Sequence, residues 1–118
     1  MSVIITISAT SDCMISNGVF TVLKDLAIPH LDNLDDQQAL EMARAVHGLD
    51  LAEMEPSQAK RLSWAIDDAL SEKIRDYARE GSESGVSFLT SIQSLLRATY
   101  GLPQGDPDTD DARGTPTP

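Results

Sequence analysis

The chain has little cysteine, few aromatic residues and few basic residues, and each shortage excludes a class of protein. The one cysteine among 118 residues, Cys13, cannot form an internal disulfide and lacks the companion thiols of a structural zinc site. We therefore expect a reducing compartment, the cytoplasm. One tryptophan, two tyrosines and two phenylalanines are too few to dominate a core. Aliphatic side chains and alanine must build most of it, which favours packed helices.

Long apolar runs are also missing. The early run at residues 3–7 is too short for a secretory signal, and the first basic residue, Lys24, comes too late for one. No stretch reaches the roughly 20 apolar residues that are needed to cross a bilayer. The sequence therefore predicts a protein without a signal peptide and without membrane association.

Proline is concentrated at the carboxyl end. Residues 103–118 hold four of the six prolines, four aspartates and a single aliphatic side chain. Such a segment cannot bury enough apolar surface to offset a backbone ordering entropy of about 1–2 kcal/mol per residue. We expect a disordered acidic tail there, preceded by one small globular domain over residues 1–102.

Three amphipathic patterns predict helices. The spacing of apolar residues places them at about 36–47, 57–80 and 86–100, with Pro56 at the start of the second. A glycine that can take the left-handed conformation follows each of them: Gly48, Gly81 and Gly101. The predicted fold class is mainly α with a small β part, a bundle of three to four helices with a short N-terminal strand or hairpin.

Two patterns overlap in the first 34 residues. Residues 3–7 are rich in β-branched side chains and predict a strand, and Asn17-Gly18 between residues 13–16 and 19–22 predicts a tight hairpin. Residues 19–27 equally predict a fourth helix, capped near Ser16 or Asn17. In that case the first strand needs another pairing partner, for instance a second copy of the chain.

The strongest feature is acidity. Nineteen acidic residues face nine basic ones, the net charge is −10, and the segment 32–55 alone carries −6. Such a surface repels nucleic acid and attracts a basic protein. Helix starts explain the same residues, because a carboxylate there gains about 0.3–1 kcal/mol. Both interpretations stay open, and the first assigns partner binding to six carboxylates: Asp35, Asp36, Glu41, Asp50, Glu53 and Glu55.

Trp64 lies opposite the apolar stripe of its predicted helix, on the face that carries Arg61 and Arg75. Tryptophan and arginine are enriched among interface hot spots, so these three residues complete the predicted partner-binding site. The alternative is that the N-terminal sheet covers this side of the helix. The average burial of large aromatic side chains favours that alternative.

Residues 84–96 contain no charged side chain. A helix without a charged face usually lies centrally in a fold or under a partner. Central burial is the simpler interpretation. The alternative is a homodimer through the serine and threonine side of this helix, which would make the protein an oligomeric regulatory or scaffold module.

Catalytic groups are scarce. His30 and His47, the two histidines, stand in no metal-binding or catalytic spacing, and no neighbouring base activates Cys13. The sequence therefore predicts no enzyme, no metal and no cofactor. It favours a small acidic protein that inhibits a basic partner protein stoichiometrically, as immunity proteins and antitoxins do, with no direct contact to nucleic acid.

Overall fold

The computed structural model describes residues 2–102, and the predicted tail at 103–118 lies outside them. These residues are mainly helical with a small sheet, as predicted. None of the helices among them is long and apolar enough to span a bilayer. In chain order the elements are β1 (Ser2–Ser8), β2 (Ser11–Ser16), α1 (Asn17–Ala27), α2 (Leu34–Val46), β3 (Gly48–Asp50), α3 (Pro56–Glu80) and α4 (Glu83–Tyr100), with 3-10 turns at Ile28–His30 and Leu51–Glu53.

The sheet has the strand order β2-β1-β3. β1 and β2 pair antiparallel around a turn at residues 9–10, and β3 pairs parallel on the other side of β1. Because side chains alternate along a strand, one face is buried and the other carries the cross-strand pair Ile4 and Met14 in solvent. The buried face consists of Val3, Ile5, Ile7, Ile15 and Leu49.

The N-terminal hairpin exists, but its turn is not at Asn17-Gly18. These two residues begin α1, and the Ser16 hydroxyl caps that helix by accepting the backbone N–H of Val19 at 3.2 Å. The predicted fourth helix is therefore confirmed, and the predicted strand over 19–22 is wrong. The physical reason is burial: Phe20, Leu23 and Ala27 recur at helical spacing on the face that meets the core. β1 finds both pairing partners in its own chain.

Left-handed residues end the three later helices. Gly81, with φ 79°, and Gly101, with φ 65°, end α3 and α4 as predicted. α2 ends at His47 instead, with φ 62°, one residue before the predicted stop at Gly48. Gly48 already belongs to β3, where it pairs with Ile4, so the start of the strand sets where the helix must end.

One apolar cluster joins the sheet to the helices. α4 lies along α3 and contacts β1, and α1 packs on α3. The fully buried large side chains are aliphatic apart from Phe20 and Asp36, in agreement with the scarcity of aromatic residues. The Tyr100 hydroxyl donates to the Ile7 carbonyl at 2.8 Å and ties the end of α4 to β1.

A buried ion pair fastens α3 to α4. The Arg97 guanidinium donates to the Asp67 carboxylate from Nε at 2.8 Å and from Nη2 at 3.3 Å. The two side chains are only 15% and 8% exposed. Gln93 donates to the Asp67 carbonyl and to the Ser71 hydroxyl beside them. Because both charges have left water, each depends on the other for compensation.

We predict that Arg97→Met lowers the free energy of unfolding by about 3–5 kcal/mol, because it leaves the Asp67 carboxylate buried without a counter-charge. The double variant Asp67→Leu/Arg97→Met should regain most of that loss, since it removes both charges. Denaturant unfolding of the two variants and the wild type measures this. A double variant no more stable than Arg97→Met would contradict the assignment.

Candidate functional site

A shallow polar cleft lies where the first 3-10 turn and the start of α2 meet α3. We call it the Trp64 cleft, and its volume is about 400 Å³. Trp64 is 48% exposed, so the expectation that the N-terminal sheet covers it is wrong. The sheet contacts α1, α2 and α4 instead, which leaves this side of α3 open. The polar and aromatic side chains that line the cleft are His30, Asp32, Asn33, Asp36, Arg61, Trp64 and Asp68.

Asp36 forms the inner wall of the Trp64 cleft. Asn33 caps α2, which places Asp36 in the first helical turn, facing α3. Its carboxylate is 1% exposed and accepts two hydrogen bonds from the Arg61 guanidinium, at 2.6 Å from Nε and 3.1 Å from Nη2. This pairing holds the pKa of Asp36 below its usual range. Asp36 is therefore internally neutralised and holds α2 against α3, and it is not a free surface carboxylate.

Asp68 lies on α3 four residues after Trp64 and supplies another carboxylate of the Trp64 cleft. It is half-buried, and its Oδ2 lies 3.7 Å from Nδ1 of His30. Burial raises the pKa of Asp68, while His30 works against the rise and Asp67 adds to it. Asp67 itself points toward Arg97 on α4. The two adjacent carboxylates therefore face different partners, as helical geometry requires.

Two of the predicted partner-binding carboxylates cap helices. Glu55 accepts the backbone N–H groups of residues 57 and 58 at 3.2 and 3.1 Å, and these hydrogen bonds lower its pKa. Asp50 accepts the N–H of Glu53 at 3.2 Å at the second 3-10 turn. This is the role that the helix-start interpretation assigns to them. Both side chains remain exposed, so capping leaves their charge on the surface.

The other three predicted carboxylates lie at the surface. Glu41 accepts a hydrogen bond from the Lys24 ammonium at 3.0 Å, which joins α2 to α1 and partly neutralises both groups. Asp35 is exposed in the first turn of α2, and Glu53 is exposed in the second 3-10 turn. Of the six predicted carboxylates, Asp35 and Glu53 are thus the two whose exposed carboxylate neither caps a helix nor forms an ion pair within the described residues.

The predicted site residues do not form one patch. Asp50 and Glu53 line a separate depression beside the end of β1, together with Tyr100. Arg75 lies eleven residues after Trp64 on α3, which is about 16 Å of helical rise. Of the nine predicted residues, the structure brings three together around the Trp64 cleft: Asp36, Arg61 and Trp64.

The predicted partner-binding site omits three acidic or imidazole groups of the Trp64 cleft. The helical spacing places Asp68 on the same face as Trp64, but the predicted site includes only Arg61, Trp64 and Arg75 from that face. His30 and Asp32 reach the cleft through the fold of the chain between α1 and α2. No periodicity in the sequence links that segment to α3.

The Trp64 cleft has the chemistry of a cation site. Its lining carries the carboxylates of Asp32, Asp36 and Asp68 against one guanidinium, so it keeps an excess of negative charge while His30 is neutral. An exposed indole face attracts an ammonium or guanidinium group by about 0.5–1 kcal/mol. Within residues 2–102 no three His, Cys, Asp or Glu side chains are grouped so that they could hold a metal ion.

Comparison with protein-family models, with curated proteins and with solved structures gives no match for this chain.

We predict that the fluorescence of Trp64, the one tryptophan of the chain, is quenched more strongly by caesium ions than by iodide ions, because the carboxylates around it concentrate cations. The variant Asp32→Asn/Asp68→Asn should reduce that preference. Equal quenching by the two ions in the wild type would contradict the charge assignment.

We predict that Cys13 reacts slowly with thiol reagents. Burial, with Asp12 adding to it, raises its pKa from 9.0 to about 11, which lowers the thiolate fraction at neutral pH about 100-fold. The rate of alkylation should be lower than that of a cysteine peptide, and unfolding in urea should abolish the difference. Equal rates for the folded chain and the peptide would refute this.

Proposed function

We propose that this chain is a small, non-enzymatic protein of the cytoplasm that covers a basic site on a partner protein stoichiometrically, in the manner of an immunity protein or antitoxin. One observation carries the proposal. A half-exposed tryptophan stands beside Asp32 and Asp68 in a cleft of a chain whose net charge is −10. Aromatic anchors next to groups of complementary charge are typical of the energetic centre of an interface.

An arginine of the partner fits the Trp64 cleft best. A planar guanidinium stacks on an indole and donates to carboxylates in the same plane, which an ammonium group cannot do. Asp68 is the acceptor that gains most, because its carboxylate is already half-removed from water. Asp36 is held by Arg61 and keeps the wall of the cleft in place during binding.

The remaining surface carboxylates act at a distance. Asp35, Asp50, Glu53 and Glu55 are exposed and extend the negative surface beyond the Trp64 cleft. Their summed field speeds the encounter with a positively charged protein and disfavours nucleic acid. Salt screens this field, so the association rate should fall steeply as salt is added.

The test is capture of the partner by the tagged chain from its native cells at low ionic strength. We predict that Trp64→Ala and Asp32→Asn/Asp68→Asn each weaken binding of the captured protein at least about tenfold. The matched control Asp12→Asn/Glu80→Gln removes two charges outside the cleft and should retain binding.

Three results would contradict the proposal. One is a captured protein that binds the cleft variants and the control equally well. Another is an association rate that does not change between low and high salt. The third is a partner whose contact surface is acidic.

A further inference from the structure

The outer face of α4 is uncharged and uncovered. Its opposite face packs into the core through Leu89, Ile92 and Leu96. The prediction of central burial for this helix is therefore wrong, because α4 lies at the outside of the helical layer. The exposed side chains of the outer face are Ser84, Ser87, Phe88, Ser91, Ser94, Leu95 and Ala98.

The outer face follows the seven-residue repeat of helices that pair with helices. Two rows with alternating spacings of three and four residues run along it: Ser84, Ser87, Ser91, Ser94 and Ala98, and Ser84, Phe88, Ser91, Leu95 and Ala98. The two large apolar side chains, Phe88 and Leu95, are one repeat apart and are 46% and 37% exposed. A solvated helix face would carry charges at such positions.

A groove borders one side of this face. Its volume is about 1000 Å³, and its lining includes Ser87, Ser91, Ser94 and Leu95 of the face, with Glu83, Val86 and Thr90 beside them and Ala78 at the end of α3. Small side chains along one side of a helix allow a second helix to approach closely. Large side chains of a neighbouring helix can therefore pack against the serines here.

We infer that the outer face of α4 pairs with the same face of a second copy of this chain, antiparallel and with the two-fold axis at Ser91. In that register Phe88 of each copy lies opposite Ser94 of the other, and Leu95 lies opposite Ser87. Each large side chain thus meets a serine, while Ser91 meets Ser91 at the axis and Ser84 meets Ala98 at both ends. A surface that complements itself about a two-fold axis is what an isologous dimer requires.

Charge also selects a second copy as the occupant. Two chains of charge −10 repel each other, and a neutral face is where they can meet without opposing carboxylates. Glu83, the one carboxylate on α4, lies opposite Thr99 of the other copy and far from the other Glu83 in this register. The face shares no residue with the Trp64 cleft, so the inference does not rest on the proposed function.

Sedimentation of the full chain over a range of concentrations tests the dimer. We expect a monomer–dimer equilibrium that shifts toward the dimer as salt is raised, because salt screens the repulsion between two acidic chains. Added salt should weaken binding of a basic partner but strengthen the dimer, so either proposal can be contradicted without the other. A wild-type chain that stays monomeric at micromolar concentration in high salt would overturn the inference.

Two sets of variants test the register. Ser91→Glu places two carboxylates at the axis and should raise the dimer dissociation constant at least about tenfold, whereas Gln38→Glu on α2 should not. Ser87→Glu should weaken the dimer, and Ser87→Glu/Leu95→Lys should restore it through a pair between copies.

The control Ser87→Glu/Ser84→Lys places the lysine on the same helix turn and should give no such rescue. Circular dichroism melting shows whether each variant is folded. Dimerisation unaffected by Ser91→Glu, or equal rescue by both lysine variants, would overturn the antiparallel pairing about Ser91.

Discussion

The ion pair between Asp36 and Arg61 holds the candidate site together. It joins the first turn of α2 to α3 through a fully buried carboxylate and thereby sets the distance between the segment around residue 32 and Trp64. Without it, the carboxylate would have to be protonated or leave the interior. The Trp64 cleft therefore depends on a pair that is itself neutral, while Asp32 and Asp68 at its edge keep the charge that a partner would meet.

The acidic residues of this chain serve the fold and the surface together. Glu55 and Asp50 accept hydrogen bonds from backbone N–H groups, as helix starts require. Both side chains nevertheless stay exposed and negative. One carboxylate can therefore cap a helix and still present its charge to a partner. The exceptions are Asp36 and Asp67. These two carboxylates are buried, and Arg61 on α3 and Arg97 on α4 balance their charges.

Helix positions followed from the sequence because each depends on a local signal. Apolar spacing and the glycines after α3 and α4 determine those helices within a few residues. The sequence did not predict the exposure of Trp64, because that exposure depends on which helices the sheet covers. His30 lies beside Asp68 although 38 positions separate them in the sequence, and no sequence periodicity predicts such a contact. The hairpin turn was misplaced for a related reason: Asn17-Gly18 suits a tight turn, but burial of Phe20 and Leu23 requires a helix there.

The most direct measurement of the central claim is an NMR titration with an arginine-rich peptide and with its uncharged citrulline counterpart. Trp64 provides the one indole N–H signal of the chain. The arginine peptide should shift that signal together with the backbone signals of His30, Asp32 and Asp68, and added salt should reverse the shifts, whereas the citrulline peptide should leave them unchanged. An indole signal that does not move while residues around Asp50 and Glu53 shift would contradict the assignment of the Trp64 cleft as the binding site.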